Sequence, residues 1–260
     1  MSNTSVVVPN HNRDLIQLKD SLPKDVELVE VNLGFERSKQ RNIGIQKSTG
    51  KYILYLDSDQ YVSPELIAEC EMLCEQGDFE SLYIPEEIVT PGFFGYLRNW
   101  ERQFYTSTPV DCVRFIRKDV CPLFYEDLNG PEDADHDRRV PGRKGTTKNV
   151  LYHNDGETLF NYLRKKAYYA KSQILYKKRW PNDKVLQWQW RCFGVFFENG
   201  KWKKALKRPD LFLLIQGLIF LRGIIYVVTT KSECLHCKLQ IRSILSRSSR
   251  QYRKTGLSEH

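Results

Sequence analysis

The sequence predicts an α/β fold: a mostly parallel sheet with helices on both faces, followed by a helical extension. Three observations carry this prediction. Short strand-like runs alternate with helix-length segments over the first part of the chain. The third of these runs is apolar throughout, as a central parallel strand is. The composition also changes after about residue 155, where aromatic and basic residues become dense.

In chain order, Val6-Val7-Val8 is a β-branched run halted by Pro9, which reads as a buried strand running into a loop at residues 10–13. Residues 14–21 are a short helix candidate, and residues 26–31 a second strand. Residues 37–48 read as helix, with Gly50 as the stop signal. Residues 52–56 are the third strand. Ser63-Pro64-Glu65 reads as a helix start, with serine as cap and proline in the first turn. Residues 82–85 are a fourth strand. Ligands of such sheets sit beyond the carboxyl ends of the strands, which directs attention to residues 10–13, 32–34 and 57–59.

The 260 residues carry 41% hydrophobic and 28% charged side chains, which excludes a globally disordered chain. Forty Lys and Arg against 32 Asp and Glu give a net charge of +8, which suits an anionic partner: nucleic acid, a membrane surface or a phosphorylated substrate. The seven cysteines are odd in number and no secretory signal opens the chain, so reduced thiols in a cytosolic compartment are expected. Cys234 and Cys237 form half of a metal-binding pattern with no second pair, and free thiols are the expectation.

Asp57-Ser58-Asp59 follows the apolar strand. Two carboxylates that close repel each other unless a cation joins them. Mg²⁺ or Mn²⁺ takes hard oxygen ligands, commonly one or two carboxylates together with substrate phosphates. A surface turn uses the same residue types, so the position after a buried strand is what favours function.

Around this pair the sequence resembles the family-two glycosyltransferases of GT-A fold. The resemblance rests on residues 6–13 (VVVPNHNR), 40–44 (QRNIG), 50–59 (GKYILYLDSD), 114–119 (RFIRKD) and 130–139 (GPEDADHDRR), in that order, and spans residues 5 to about 155. It implies a catalytic domain over residues 1–155 and an extension over residues 156–260. It implies that Pro9, Asn10 and Asn12 lie against the base and ribose of a nucleotide-sugar. The acid that ends strand two in the family is replaced here by Asn32, with Glu30 two residues earlier. Arg41 and Asn42 match the segment that approaches the nucleotide. Asp57, Ser58 and Asp59 match the donor and metal motif, with Asp59 as direct ligand of Mn²⁺ or Mg²⁺ and Asp57 on the ribose or a metal-bound water. His153 matches a histidine near the metal or diphosphate. Asp133 is the implied base for an inverting transfer, with Glu132 and Asp135 as the neighbouring acids on the acceptor side.

Residues 211–228 are apolar apart from Gln216 and Arg222, close to the minimum length of a membrane span. Basic residues flank the segment, from Lys201 to Arg208 before it and at Arg242, Arg247, Arg250 and Arg253 after it. A membrane-associating extension is therefore expected, at the cytoplasmic face, with monotopic attachment ahead of a span. The expected partners are a UDP- or GDP-sugar, a glycan or lipid-linked acceptor and an anionic membrane surface. A nucleic-acid-binding protein is the competing reading, drawn from the charge and the aromatic-basic segment 158–178. It leaves the acids unexplained, and no nucleic acid is expected. An inactive glycosyltransferase-like scaffold is the other alternative, disfavoured because the acids are present.

Overall fold

The computed structural model describes residues 2–231. Cys234, Cys237, Arg242, Arg247, Arg250 and Arg253 lie outside the described residues.

Six strands form the main sheet. β1 (Thr4–Pro9) pairs in parallel with β2 (Glu27–Val31) and β3 (Tyr52–Tyr55). β5 (Ser81–Tyr83), β7 (Val113–Arg117) and β8 (Lys144–Thr146) complete it in the order β2-β1-β3-β7-β5-β8. β7 runs antiparallel to both of its neighbours, so the sheet is mixed, with one strand reversed. Strand alternation sorts the apolar side chains between two faces. Val6, Val8, Leu54 and Leu82 pack under α1 (Ile16–Ser21) and α3 (Leu66–Gln76), through Leu18, Leu66, Ile67 and Cys70. Val7, Ile53, Tyr55 and Ile116 face Ile45 of α2 (Arg37–Lys47), Phe124 and Val140. α2 lies close on β1: a Cβ at Gly44 would fall 2.2 Å from Val7 Cγ1.

Two local expectations need correction. α3 begins at Leu66, and neither Ser63 nor Pro64 starts it. Ser63 Oγ instead donates to Val150 O at 3.2 Å, tying two chain segments together. α2 ends at Lys47 with Ser48 as its cap, so Gly50 is not the stop. Gly50 is needed for close approach, since a Cβ there would sit 2.7 Å from Asn3 O.

A second, three-stranded sheet bears on function. β4 (Gln60–Val62), β9 (Leu151–His153) and β6 (Glu86–Ile88) are ordered β4-β9-β6, with Gln60 opposite His153 and Glu86 opposite Leu151. β4 starts one residue after Asp59. Its pairing therefore brings chain from residue 86 and residue 153 beside the carboxylates.

The extension shares a core with the first part of the chain. Leu97, Trp100, Phe104 and Tyr105 of α4 (Phe93–Tyr105), with Ala134 of α5 (Glu132–Arg139), pack against later residues. These include Tyr162 of α6 (Leu159–Ala170), Tyr176 of α7 (Gln173–Arg179), Val195 and Phe196 of α8 (Val195–Phe197) and Ala205 of α9 (Trp202–Lys207). Thr158 caps α6 through the Asn161 amide. α10 (Pro209–Lys231) is 23 residues long, so about 34 Å, long and apolar enough by composition to cross a membrane. It adds Leu211, Ile215 and Leu218 to the same core. Its interrupting polar residues both face protein. Gln216 Nε2 donates to Cys192 O at 2.8 Å, and Arg222 pairs with Glu101 at 2.5 Å. Leu213, Leu214 and Leu221 are exposed.

Candidate active site

A cleft of about 1450 Å³ opens beyond the carboxyl ends of β1 and β3. Pro9, Asp57, Ser58, Asp59, Asp133 and His153 all line it, as do His11, Arg13 and Arg37. Ten Lys or Arg and five Asp or Glu are among its lining residues, so its net charge suits an anionic ligand.

Asp57 leaves the end of β3 and meets two guanidiniums: Arg41 at 2.9 Å and Arg37 at 3.5 Å. Burial alone would raise its pKa, but Arg37, Arg41 and Arg114 outweigh burial and hold the carboxyl below the usual aspartate range. Asp133, in the first turn of α5, pairs with Arg41 at 2.6 Å. There too burial works upward, and Arg41, Arg37 and Arg114 bring the pKa down. The amino end of α5 further favours a carboxylate in this turn. Gly130, at φ +100°, sets the chain into that turn under Tyr169, where a Cβ would fall 2.4 Å from the tyrosine Cβ.

Asp59 points away from Asp57's partners. Its Oδ2 accepts from Arg13 at 2.7 Å, and its Oδ1 lies 3.4 Å from His153 Nε2. Burial opposes its ionisation, but His153 and Arg13 prevail and the pKa falls. The other ring nitrogen of His153, Nδ1, lies 2.9 Å from Glu86 Oε1. Burial disfavours the imidazolium, but Glu86 and Asp59 dominate and push the histidine up to about 10. Glu86 is itself held by Arg102 at 2.9 Å and Arg114 at 3.1 Å.

Among the described residues no three His, Cys, Asp or Glu side chains converge as a ready metal cage. The expected set of Asp57, Asp59 and His153 divides, because Asp57 is turned toward Arg37 and Arg41. Asp59 Oδ1 and His153 Nε2 remain as an adjacent oxygen–nitrogen pair. Glu86 orients the imidazole from behind, as carboxylates commonly do for metal-ligating histidines. Two protein donors completed by phosphate and water oxygens suit Mg²⁺ or Mn²⁺. Nε2 would serve only after giving up its proton, which a divalent ion beside Asp59 favours, so the donor set fits such an ion through Asp59 and deprotonated His153.

Several expected donor contacts are spent inside the protein. Arg41 is fully buried and does not line the cleft; its guanidinium bridges Asp57 and Asp133. Asn42 holds Phe124, with Nδ2 donating to Phe124 O at 3.0 Å and Oδ1 accepting from Phe124 N at 2.7 Å. Asn10 closes its own loop by accepting from Arg13 N and donating to Glu30. Glu30 also accepts from Asn32, and none of Asn10, Glu30 and Asn32 lines the cleft. Asn12 is exposed at φ 58°, a conformation asparagine tolerates, and is also outside the lining. On α5, Glu132 is buried against Arg37. Asp135 is buried between Arg139 and Trp180 Nε1, at 2.8 and 2.9 Å. Helical spacing explains the split: of three acids within four positions, only Asp133 faces the cleft.

Sequence reasoning missed Arg37, Glu86 and the α6 face. Tyr162, Lys165, Lys166 and Tyr169 all line the cleft. Their spacing of three, four and seven is that of one helix face, and was the available signal.

This is an α/β architecture with a mixed sheet, whose cleft is edged by carboxylates at the ends of its strands. Residues 11–106 match the profile of the family described as glycosyl transferase family 2, the family that the ordered motifs resemble. The matched stretch covers less than half of the 260 residues. No curated protein matches the sequence. Among solved structures, Staphylococcus aureus TarS residues 1–349 is 16% identical, with 87% of this chain and 88% of that one covered and a TM-score of 0.45. The same TarS fragment in complex with UDP is 14% identical, with the same coverage and TM-score. Its complex with UDP-GlcNAc is 15% identical over 84% of this chain and 81% of that one, at 0.44.

Proposed function

We propose that the protein is an inverting, metal-assisted glycosyltransferase that moves a sugar from a UDP- or GDP-sugar to a hydroxyl of a membrane-bound, lipid-linked glycan acceptor. The observation that carries this reading is the placement of Asp57, Asp59 and Asp133 on one basic cleft, with His153 against Asp59. The nucleotide lies along Pro9, His11 and Ser58, and Arg13 and Arg37 face its diphosphate. Arg13 is exposed and, among the described acids, pairs with Asp59. Asp59 and His153 would hold Mn²⁺ or Mg²⁺, which would offset the charge gathering on the leaving diphosphate. Asp133, kept ionised by Arg41, takes the proton of the acceptor hydroxyl as its oxygen attacks the anomeric carbon from the opposite face. No covalent enzyme intermediate is required.

The acceptor half of the reading is supported by the far end of the cleft, which runs to Ile219, Phe220 and Ile224 of α10. That helix also exposes Leu213, Leu214 and Leu221. One wall of the cleft and an apolar outer surface thus belong to the same helix. This suits attachment to the cytoplasmic face and an acceptor with a hydrocarbon part.

Thermal shift with UDP and GDP, with and without Mn²⁺, tests the donor half. One nucleotide is expected to stabilise the chain, more strongly with the ion. Asp59→Ala is expected to remove the ion-dependent part and abolish transfer. Near-normal turnover in that variant would overturn the metal assignment.

A further inference from the structure

The mechanism above leaves one part of the cleft unused. Beyond Asp133, three cations surround the ring of Tyr162. Arg98 Cζ lies 4.6 Å from the ring centroid, Lys166 Nζ 5.1 Å and Arg222 Cζ 5.9 Å. They come from three elements, α4, α6 and α10, and all of them, with Tyr162, line the cleft. Among the described residues one carboxylate serves the two arginines: Glu101 is fully buried and is ion-paired with Arg98 and with Arg222. Lys166 has no hydrogen bond or ion pair among the described residues. Burial, reinforced by Arg98, Arg222 and Lys165, holds its pKa well below the usual lysine range. The Tyr162 hydroxyl is also unpartnered, on a side chain only 3% exposed.

Buried hydroxyls and half-buried basic groups are ordinarily paired, because desolvation without a partner is costly. Here a half-buried lysine amine without a hydrogen-bond or ion-pair partner among the described residues and an unpaired buried hydroxyl meet around one ring, beside two guanidiniums that share one acid. The missing partner must be anionic and must accept several hydrogen bonds from different directions. A carboxylate offers two coplanar oxygens; a phosphate offers three or four in a tetrahedral array.

We propose that Arg98, Tyr162, Lys166 and Arg222 form a phosphate subsite for the acceptor, distinct from the place of the donor diphosphate. The subsite rests on the glycosyl-transfer reading for its role, and the phosphate is a handle, not the attacking group. It draws the acceptor to the side of the cleft where α10 supplies an apolar wall. Because Arg222 belongs to α10, the same ligand also fixes that helix against α4.

The test uses the full chain with UDP held saturating, so that donor-side phosphate contacts are filled. Inorganic pyrophosphate is then titrated by calorimetry. The wild-type chain is expected to bind it, Lys166→Met to weaken binding at least tenfold, and Tyr162→Phe to weaken it severalfold, with UDP affinity unchanged in both. Lys166→Arg is expected to restore most of the binding. Equal pyrophosphate affinity in wild type and Lys166→Met overturns the subsite. Lys166-dependent pyrophosphate binding in a chain that binds no nucleotide keeps the subsite and overturns the donor reading instead. The source of the phosphate is read from two further arms, phosphatidylcholine vesicles with phosphatidic acid and soluble glycerol 3-phosphate. Lys166-dependent binding to the vesicles alone assigns a lipid phosphate, and to the soluble ester a polar one. Binding to either that ignores Lys166 counts against the subsite.

Discussion

Arg41 joins the two sides of the proposed reaction. It has no exposed surface and bridges Asp57 to Asp133. Replacing one member of such a buried set leaves charges without a partner. Arg41→Met is therefore expected to destabilise the fold by about 3 kcal/mol, read by denaturant unfolding, and to lower activity through both acids. Asp133→Asn should behave differently. The amide keeps the shape of the side chain and a hydrogen bond, so donor affinity should hold while kcat falls by roughly 10²–10⁴. If nucleotide binding collapses with turnover, Asp133 belongs to the donor site and is not the base. The acids of the cleft were legible in the sequence because position told them apart: Asp57 and Asp59 follow an apolar strand. Arg41 was not, because a basic residue on an amphipathic helix can face a ligand or the core. Only the contact of α2 with β1 decides which.

That contact is a property of the elements. Gly44 lets α2 approach β1, and any side chain there would meet Val7 in a sheet position with no exposed surface. Gly44→Ala is expected to cost about 1–3 kcal/mol in unfolding free energy. The same change should withdraw Arg41 from Asp57, so donor binding should weaken with stability; unchanged unfolding would mean that α2 is loosely seated. The order of strands and helices was readable from β-branched runs and polar breaks. The second sheet was not. β4, β6 and β9 have three residues each, too few for an alternation pattern to stand out. Yet this small sheet brings His153 and Glu86 to Asp59, and so decides which donors a metal ion would meet.

At the scale of the whole molecule, the first part of the chain and the extension share one apolar core. The change in composition after residue 155 marks a change in surface, not a break in packing. Cutting the chain at residue 208 would strip Leu211, Ile215 and Leu218 from that core and leave Glu101 without Arg222, so truncation would test folding along with attachment. Leu213, Leu214 and Leu221 offer a cleaner experiment, being exposed and outside the cleft. Their combined replacement by Glu is expected to lower vesicle flotation at least tenfold while leaving the melting temperature nearly unchanged. Flotation equal to wild type would place the attachment elsewhere. The pairing of Arg222 with Glu101 spans 121 residues and was invisible in the sequence, where an arginine amid apolar residues read only as an interruption.

The shared guanidinium also has a consequence for timing. A carboxylate steadied by arginine is a reluctant proton acceptor, and a reluctant acceptor contributes little until the attacking oxygen has begun to carry positive charge. Bond-making at the sugar should then run ahead of deprotonation, on a carbon already rich in cationic character. A small solvent deuterium effect paired with a sizeable secondary effect at the anomeric position would be the kinetic imprint of that order of events.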